Sequence, residues 1–149
     1  DSIPYITIMQ VNKVLTKEPV FVEDNDAKDS GTDPIEISGQ SISKAHLNLR
    51  YTFLNGGNHL IPHSISLLIA KDAQPDARGY LSAELRHDAA DDLQLNANSG
   101  YVSFTLENMP GFKEGTLKGF KIKTKTIKNE TDIVEVTMNN NRKSMNFNI

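Results

Sequence analysis

Short runs in which apolar and polar residues alternate are the feature that most constrains how this sequence can fold. The clearest example is Gly79–Leu106, where an alternating run from Leu81 to Leu85 precedes another from Val102 to Leu106. Side chains two residues apart fall on the same face of a β-strand. The polar and acidic residues between the two runs, His87–Gly100, favour turns. This region therefore predicts two half-buried strands joined by a turn-rich connection.

Similar runs recur along the rest of the chain. Alternation in His46–Phe53 and Ser64–Ile69 flanks the turn signal Asn55–Asn58, which predicts that these two strands pair as a hairpin. The runs Leu117–Ile127 and Ile133–Met138 predict a second hairpin. Shorter strands are predicted at Tyr5–Leu15, Val20–Val22, Pro34–Ser38 and Met145–Ile149, and a turn at Gly39–Ser43.

The number and spacing of these runs indicate the fold class. Turn signals recur at intervals of about 8–12 residues, which is typical of a sandwich or barrel. No segment carries an apolar stripe of helical period that is long enough for a stable helix. We therefore predict an all-β fold, an antiparallel β-sandwich of immunoglobulin-like or jelly-roll-like type with about 8–10 short strands and little helix. The 149 residues suit one domain, with the sandwich at 23–149 and leading strands at 1–22.

Charge and composition exclude several classes of function. The net charge of −3 provides no basic surface for a phosphate backbone, so we expect no nucleic-acid partner. The absence of cysteine excludes disulfides, thiolate metal sites and cysteine nucleophiles. The longest apolar run, Ile65–Ala70, is far shorter than the ~20 residues of a membrane-spanning helix. The first residues lack an initiator methionine, which is consistent with a removed targeting segment.

The sequence contains no signature of catalysis or of a cofactor. It has no Gly-x-Ser-x-Gly elbow. Its glycine pair Gly56-Gly57 precedes a predicted strand, whereas a nucleotide-binding loop precedes a helix. The acidic loop Asp24–Asp33 lacks the glycine and glutamate positions of a calcium loop. We therefore expect no enzyme activity, no cofactor and no metal.

Histidine and aspartate in the connection after Leu85 are the remaining chemical candidates. A metal or acid–base site could form here if folding brought His46, His59 or His63 close to the cluster of His87, Asp88, Asp91 and Asp92. However, the inward alternation of Leu81–Leu85 extends to His87. That pattern favours a partly buried histidine held by a neighbouring carboxylate or carbonyl.

A glycan-binding surface is the alternative use of the same region. Alternation places Tyr80 and Tyr101 on the outer faces of their strands, where their rings could stack on sugars. Polar side chains for hydrogen bonds would come from the connection, namely His87, Asp88, Asp91, Asn96 and Asn98. Together these seven residues are the candidate ligand site.

Several ordered motifs resemble the C-terminal β-sandwich domain of NigD-like proteins. Asp33-Pro34-Ile35 comes first, and the later motifs are LNLRY at 47–51, PHSISL at 62–67, ELRHDAADD at 84–92 and GYVSFTL at 100–106. The segment around Leu85-Arg86-His87-Asp88 is the most specific of them. The resemblance implies a β-sandwich and offers no family catalytic residues to assign.

The same resemblance implies a location and a way of acting. Proteins of this kind are envelope lipoproteins of Gram-negative anaerobes with an OB-like domain before the sandwich, so residues 5–22 would be the end of that domain or the first sandwich strands. We expect a non-catalytic, exported module in the periplasm or at the outer-membrane surface that contacts another envelope protein. Membrane attachment would occur only through an N-terminal lipid anchor outside this sequence. Glycan binding remains the alternative function.

Overall fold

A computed structural model describes residues 15–23, 30–57 and 61–138. In these ranges the chain forms nine β-strands, and no helix there is long and apolar enough to cross a membrane. The strands are β1 Leu15–Lys17, β2 Val20–Val22, β3 Ile35–Ser43, β4 His46–Asn55, β5 Ser64–Ala70, β6 Tyr80–Asp88, β7 Asn96–Thr105, β8 Gly119–Lys125 and β9 Thr131–Thr137. The all-β prediction is confirmed.

The strands form two sheets. The four-stranded sheet has the order β1-β7-β4-β3, and the five-stranded sheet has the order β2-β5-β6-β8-β9. The pairs β1–β7, β2–β5 and β6–β8 are parallel, and the other pairs are antiparallel. The prediction of an antiparallel arrangement is therefore only partly correct. The short strand β1 lies at one edge of the four-stranded sheet, and the short strand β2 lies at one edge of the five-stranded sheet.

Inward-facing side chains of both sheets share one hydrophobic core. Phe104 of the four-stranded sheet and Phe120 of the five-stranded sheet are its largest fully buried side chains. Aliphatic residues of neighbouring strands surround them, including Leu47, Leu49, Leu67, Ile69, Leu81, Leu85, Val102 and Ile122. Burying one such side chain is favourable by about 1.5–3 kcal/mol. The two-residue alternation thus identified the core correctly.

The hairpin predictions have mixed outcomes. β8 and β9 pair through the turn at Thr126–Glu130, which confirms the second hairpin. The predicted hairpin of β4 with β5 is wrong because the two strands lie in different sheets. β4 pairs instead with β3 and β7. A turn signal marks where the chain reverses, but it does not determine which sheet the next strand joins.

Two predicted turns are also wrong. Residues 39–43 belong to β3, and the chain turns at Lys44-Ala45. Asn48 of β4 bonds the hydroxyl of Ser43 at 2.9 Å, so polar side chains are satisfied across this hairpin. Residues 96–100 form the first half of β7 and pair with Tyr51–Asn55. The predicted strands at 5–14 and 145–149 and most of the acidic loop lie outside the described residues.

Candidate functional site

One end of the two sheets has an aromatic and polar interior, and we term it the imidazole end (Phe53, His63, His87 and Asp92). β4 and β6 both run toward it, so their inward positions change from Leu49 and Leu85 to Phe53 and His87. His87 is only 1% exposed. The edge of Phe53 meets both imidazole rings, with centroids 5.3 Å from His63 and 5.5 Å from His87. The rings are therefore enclosed between the sheets.

Hydrogen bonds connect these groups in a line that we term the imidazole relay (Pro34 carbonyl, His87, His63 and Asp92). Nδ1 of His87 lies 2.9 Å from the Pro34 carbonyl oxygen. Nε2 of His87 lies 2.8 Å from Nδ1 of His63. Nε2 of His63 lies 2.8 Å from Oδ2 of Asp92. The relay thus links the start of β3, the end of β6, the start of β5 and the connection before β7.

Asp92 anchors the connection between β6 and β7. Its carboxylate accepts the backbone N–H of Gly56 at 3.1 Å and that of Leu93 at 2.8 Å. Its side chain is only 3% exposed. A Cβ on Gly56 would lie 2.7 Å from Oδ1 of Asp92, so glycine permits this close approach. A buried carboxylate with several donors is satisfied without solvent.

Residues 31–34 position the Pro34 carbonyl against the end of β6. The backbone N–H of Asp33 donates to the carbonyl of His87 at 2.9 Å, and the Asp33 carboxylate accepts the N–H of Ala89 at 2.8 Å. Gly31 has a φ of 84°, and a Cβ there would lie 2.4 Å from the His87 carbonyl oxygen. Any side chain at this position would push the segment away from β6.

The environment shifts the pKa of two groups of the relay. Burial lowers the pKa of His87, against the opposing effect of its bond to the Pro34 carbonyl, and the charge of His63 lowers it further. The hydrogen bond from His63 lowers the pKa of Asp92, and the Gly56 amide adds to that effect. At neutral pH Asp92 is therefore ionised.

The chemistry open to this site is limited by its enclosure. A general base must reach a substrate proton at about 2.6–3.2 Å. Both nitrogens of His87 and both nitrogens of His63 are already engaged within the relay. Among the described residues, no group of three or more side chains could hold a metal ion. The arrangement is suited to joining segments of the fold.

The candidate ligand residues of the connection do not converge. Asp88 bonds the N–H of Ala90 at 2.9 Å, and Asp91 is an exposed turn residue with a φ of 63°. Asn96 and Asn98 lie on β7, where Asn98 bonds the side chain of Asn55 at 2.9 Å. His87 is buried within the relay, so a ligand at the surface has no access to it.

The two tyrosines proposed for sugar stacking differ in exposure. Tyr101 is 53% exposed, with the Arg50 guanidinium 6.0 Å from its ring centroid. Tyr80 is only 9% exposed, because the Arg78 guanidinium covers its ring at 4.2 Å and its hydroxyl bonds Thr137 at 2.7 Å. The expectation that Tyr80 offers an open ring is therefore wrong. Alternation alone does not reveal that a neighbouring side chain covers an outward residue.

Sequence reasoning left the partners of His87 undetermined. His46, His59 and His63 can each approach it on sequence grounds, and Asp92 lies in the turn-rich connection without a predicted contact. The structure selects His63 and Asp92. The only signal in the sequence was that both lie within the motifs at 62–67 and 84–92, which meet here together with Asp33-Pro34.

Two leucines beside Asp92 are exposed to solvent. Leu93 is 63% exposed and Leu95 is 68% exposed. Their backbone is held in place, since the N–H of Leu93 bonds Asp92 and the N–H of Leu95 bonds the Asn55 carbonyl at 3.0 Å. The connection thus presents two apolar side chains from a hydrogen-bonded backbone.

Comparison with known protein families identifies this fold. Residues 18–138 match the family of the NigD-like C-terminal beta sandwich domain. The chain belongs to this family. The resemblance inferred from the sequence motifs is confirmed, and the two sheets are the layers of the NigD-like sandwich.

Solved structures with the same fold come from species of Parabacteroides and Bacteroides. A protein from Parabacteroides distasonis, provisionally named toxin-related, is 28% identical with a TM-score of 0.66, and the match covers 91% of this chain and 66% of that one. A NigD-like immunity protein from Bacteroides caccae is 20% identical with a TM-score of 0.60, covering 83% and 59%. A protein from Bacteroides fragilis, provisionally named a lipoprotein, is 10% identical with a TM-score of 0.62, covering 84% and 71%.

This chain spans less than two thirds of the length of the Parabacteroides distasonis protein and of the Bacteroides caccae protein. A comparison with curated protein sequences gave no match. The similarity at 20% identity or below describes the shared fold.

Proposed function

We propose that this NigD-like domain is a non-catalytic module of an exported cell-envelope protein and acts through contacts with another protein. The exposed pair Leu93 and Leu95 carries the proposal. The two side chains project from a connection whose backbone is fixed by Asp92 and Asn55. Burying a leucine is favourable by about 1.5–3 kcal/mol, and a backbone ordered in advance reduces the entropy cost of binding.

The enclosed chemistry of the imidazole end supports a non-catalytic role. Every nitrogen of the two imidazoles has a partner inside the fold, and His87 is almost fully buried. The same bonds hold the connection that carries Leu93 and Leu95. The histidines and Asp92 therefore support a surface for binding.

The exported location is supported by family membership and by the names of similar structures. The family model is that of a C-terminal domain, and two matched proteins are named an immunity protein and, provisionally, a lipoprotein. We expect the full-length native protein to fractionate with membranes and to carry a lipid. Recovery of an unmodified protein from the cytoplasmic fraction would contradict the envelope assignment.

Site-specific photo-crosslinking tests the contact surface. A photoreactive amino acid at position 93 or 95 of the full-length protein should give a discrete crosslinked species in intact cells. The same label at Ile133, a residue on β9 that is 59% exposed, is the control. A discrete product that is specific to positions 93 and 95 and contains one envelope protein by mass spectrometry would support the proposal. Equal labelling at all three positions, or none at 93 and 95, would refute it.

Glycan binding has less support from the geometry. Of the two proposed stacking rings only Tyr101 is open, and Asp91, Asn96 and Asn98 are spread over a turn and a strand. Tyr101 lies an odd number of residues from Asn96 and from Asn98, so its side chain projects from the opposite face of β7 to both asparagines. A glycan array without binding at millimolar ligand would eliminate this alternative.

A further inference from the structure

Counting the hydrogens that the imidazole relay requires gives its protonation state. A carbonyl oxygen can only accept, so Nδ1 of His87 must carry a hydrogen toward Pro34. An ionised carboxylate can only accept, so Nε2 of His63 must carry a hydrogen toward Asp92. The contact of 2.8 Å between Nε2 of His87 and Nδ1 of His63 requires a third hydrogen, carried by one of these two nitrogens. Two neutral imidazoles carry only two hydrogens between them.

We infer that His63 and His87 together hold one additional proton, so that the pair is singly positive and Asp92 is its buried counterion. With one proton fewer, two acceptors would face each other at one contact of the relay. With one proton more, two N–H groups would face each other between the rings. With Asp92 ionised, only the singly protonated pair satisfies all three contacts.

The charged groups around the rings fit a single positive charge. The connection supplies Asp92 in direct contact, the segment before β3 supplies Asp33, and β6 supplies Asp88. Asp33 and Asp88 raise the pKa of His87, whereas burial lowers it more strongly. β4 supplies the uncharged ring of Phe53. The neighbouring residue of β5 is the neutral Ser64.

In this protonation state the hydrogen bonds of the imidazole end depend on pH. Acid adds a second proton to the pair, and the bond between His63 and His87 is then lost. The backbone pairing of β5 with β6 remains, but the side chain of His63 is no longer joined to that of His87, so the Asp92 connection is no longer linked to the Pro34 carbonyl.

Nitrogen-15 NMR of the imidazole rings tests the hydrogen count. In the folded, labelled domain at pH 7, two-bond proton–nitrogen correlations distinguish protonated from unprotonated ring nitrogens. We expect hydrogens on both nitrogens of His63 and on Nδ1 of His87, with Nε2 of His87 unprotonated. His46, at the opposite end of β4, serves as the internal reference. Two neutral rings at pH 7, or a hydrogen on Nε2 but not Nδ1 of His87, would overturn the inference.

Two adjacent aspartates provide a matched pair of variants. Asp92→Asn removes the counterion but keeps an oxygen acceptor, so the ring nitrogens should hold one hydrogen fewer at pH 7. Asp91→Asn changes an exposed residue whose φ of 63° asparagine tolerates, so the count should not change. An unchanged count in Asp92→Asn, or the same loss in Asp91→Asn, would contradict the role of Asp92 as counterion. If Asp92→Asn does not fold, the wild-type count still decides the protonation state.

Discussion

The two ends of the sandwich hold their sheets together by different forces. At the aliphatic end (Leu47, Leu81, Phe104 and Phe120) the inward residues of both sheets are hydrocarbon, and each of these four is fully buried. At the imidazole end the same strands β4 and β6 place the half-buried Phe53 and the buried His87 inward, and His87 bonds His63, which bonds Asp92. Hydrophobic contact is non-directional, whereas hydrogen bonds between charged groups require fixed geometry.

This difference separates what each end can contribute. The aliphatic end gains free energy from removing apolar area from water, which does not depend on pH. The imidazole end adds hydrogen bonds that join the residue before β5 and the β6–β7 connection to the end of β6. Its contribution depends on the proton count of its groups. The aliphatic end should therefore dominate stability, and the imidazole end should control local order and its pH response.

The largest effect is expected at the aliphatic end. Phe104→Ala removes a side chain with 0% exposure and should lower the free energy of unfolding by about 3–5 kcal/mol. Urea denaturation at pH 7 measures this decrease. The difference in the free energy of unfolding between wild type and Phe104→Ala should be the same at pH 5. If Phe104→Ala does not fold, Phe104→Leu should show a smaller loss with the same pH independence. A loss that changes with pH would contradict the division between the two ends.

A smaller loss is expected at the imidazole end. His87→Phe keeps a ring of suitable shape but leaves the Pro34 carbonyl and Nδ1 of His63 without their partners. An unsatisfied buried polar group costs about 1–3 kcal/mol, so the free energy of unfolding in urea at pH 7 should fall by that order. His46→Phe, a half-buried site at the start of β4, is the control. A His87→Phe variant more stable than wild type would show that the relay does not support the fold.

The pH dependence of stability should come from the imidazole end. The pKa of His87 is below its ordinary value of 6.5, so the unfolded chain binds this proton at higher pH than the folded one. Stability should therefore decrease as pH falls through about 6.5. The lowered pKa of Asp92 acts in the same direction, since its contribution is present above 3.8 and is lost as pH falls through the folded pKa.

Urea midpoints measured from pH 8 to pH 4 check this dependence. The decrease between pH 7 and pH 5 should be present in wild type and in Phe104→Leu. It should be smaller in His87→Phe, which has lost the buried imidazole. Equal pH slopes in all three proteins would place the pH response elsewhere in the molecule.

The sequence predicts the aliphatic end better than the imidazole end for a physical reason. The alternation that places Leu47 or Phe104 inward is a local property, so it is visible in a few neighbouring residues. It also correctly placed His87 inward. The family resemblance, based on ordered motifs, likewise used information present in the chain.

Contacts between distant residues could not be obtained in this way. The parallel pairing of β6 with β8 and the placement of β4 and β5 in different sheets depend on the whole topology. The bond from His63 to Asp92 joins residues 29 positions apart, and nothing local distinguishes His63 from the other histidines. Tyr80 shows the same limit, since the partner of its hydroxyl, Thr137 on β9, is 57 positions away.

The smallest effect on folding is expected at the exposed leucines of the imidazole end. Leu95→Ser changes a side chain that is 68% exposed, so the free energy of unfolding should change by no more than about 0.5 kcal/mol. The same variant should weaken crosslinking from position 93, because a partner that covers Leu93 also loses apolar contact with its neighbour. Ile133→Ser on β9 should leave both quantities unchanged. A clear loss of stability in Leu95→Ser would mean that this leucine supports the fold. It would contradict the division in which the buried relay orders the connection and the exposed Leu93 and Leu95 bind a partner.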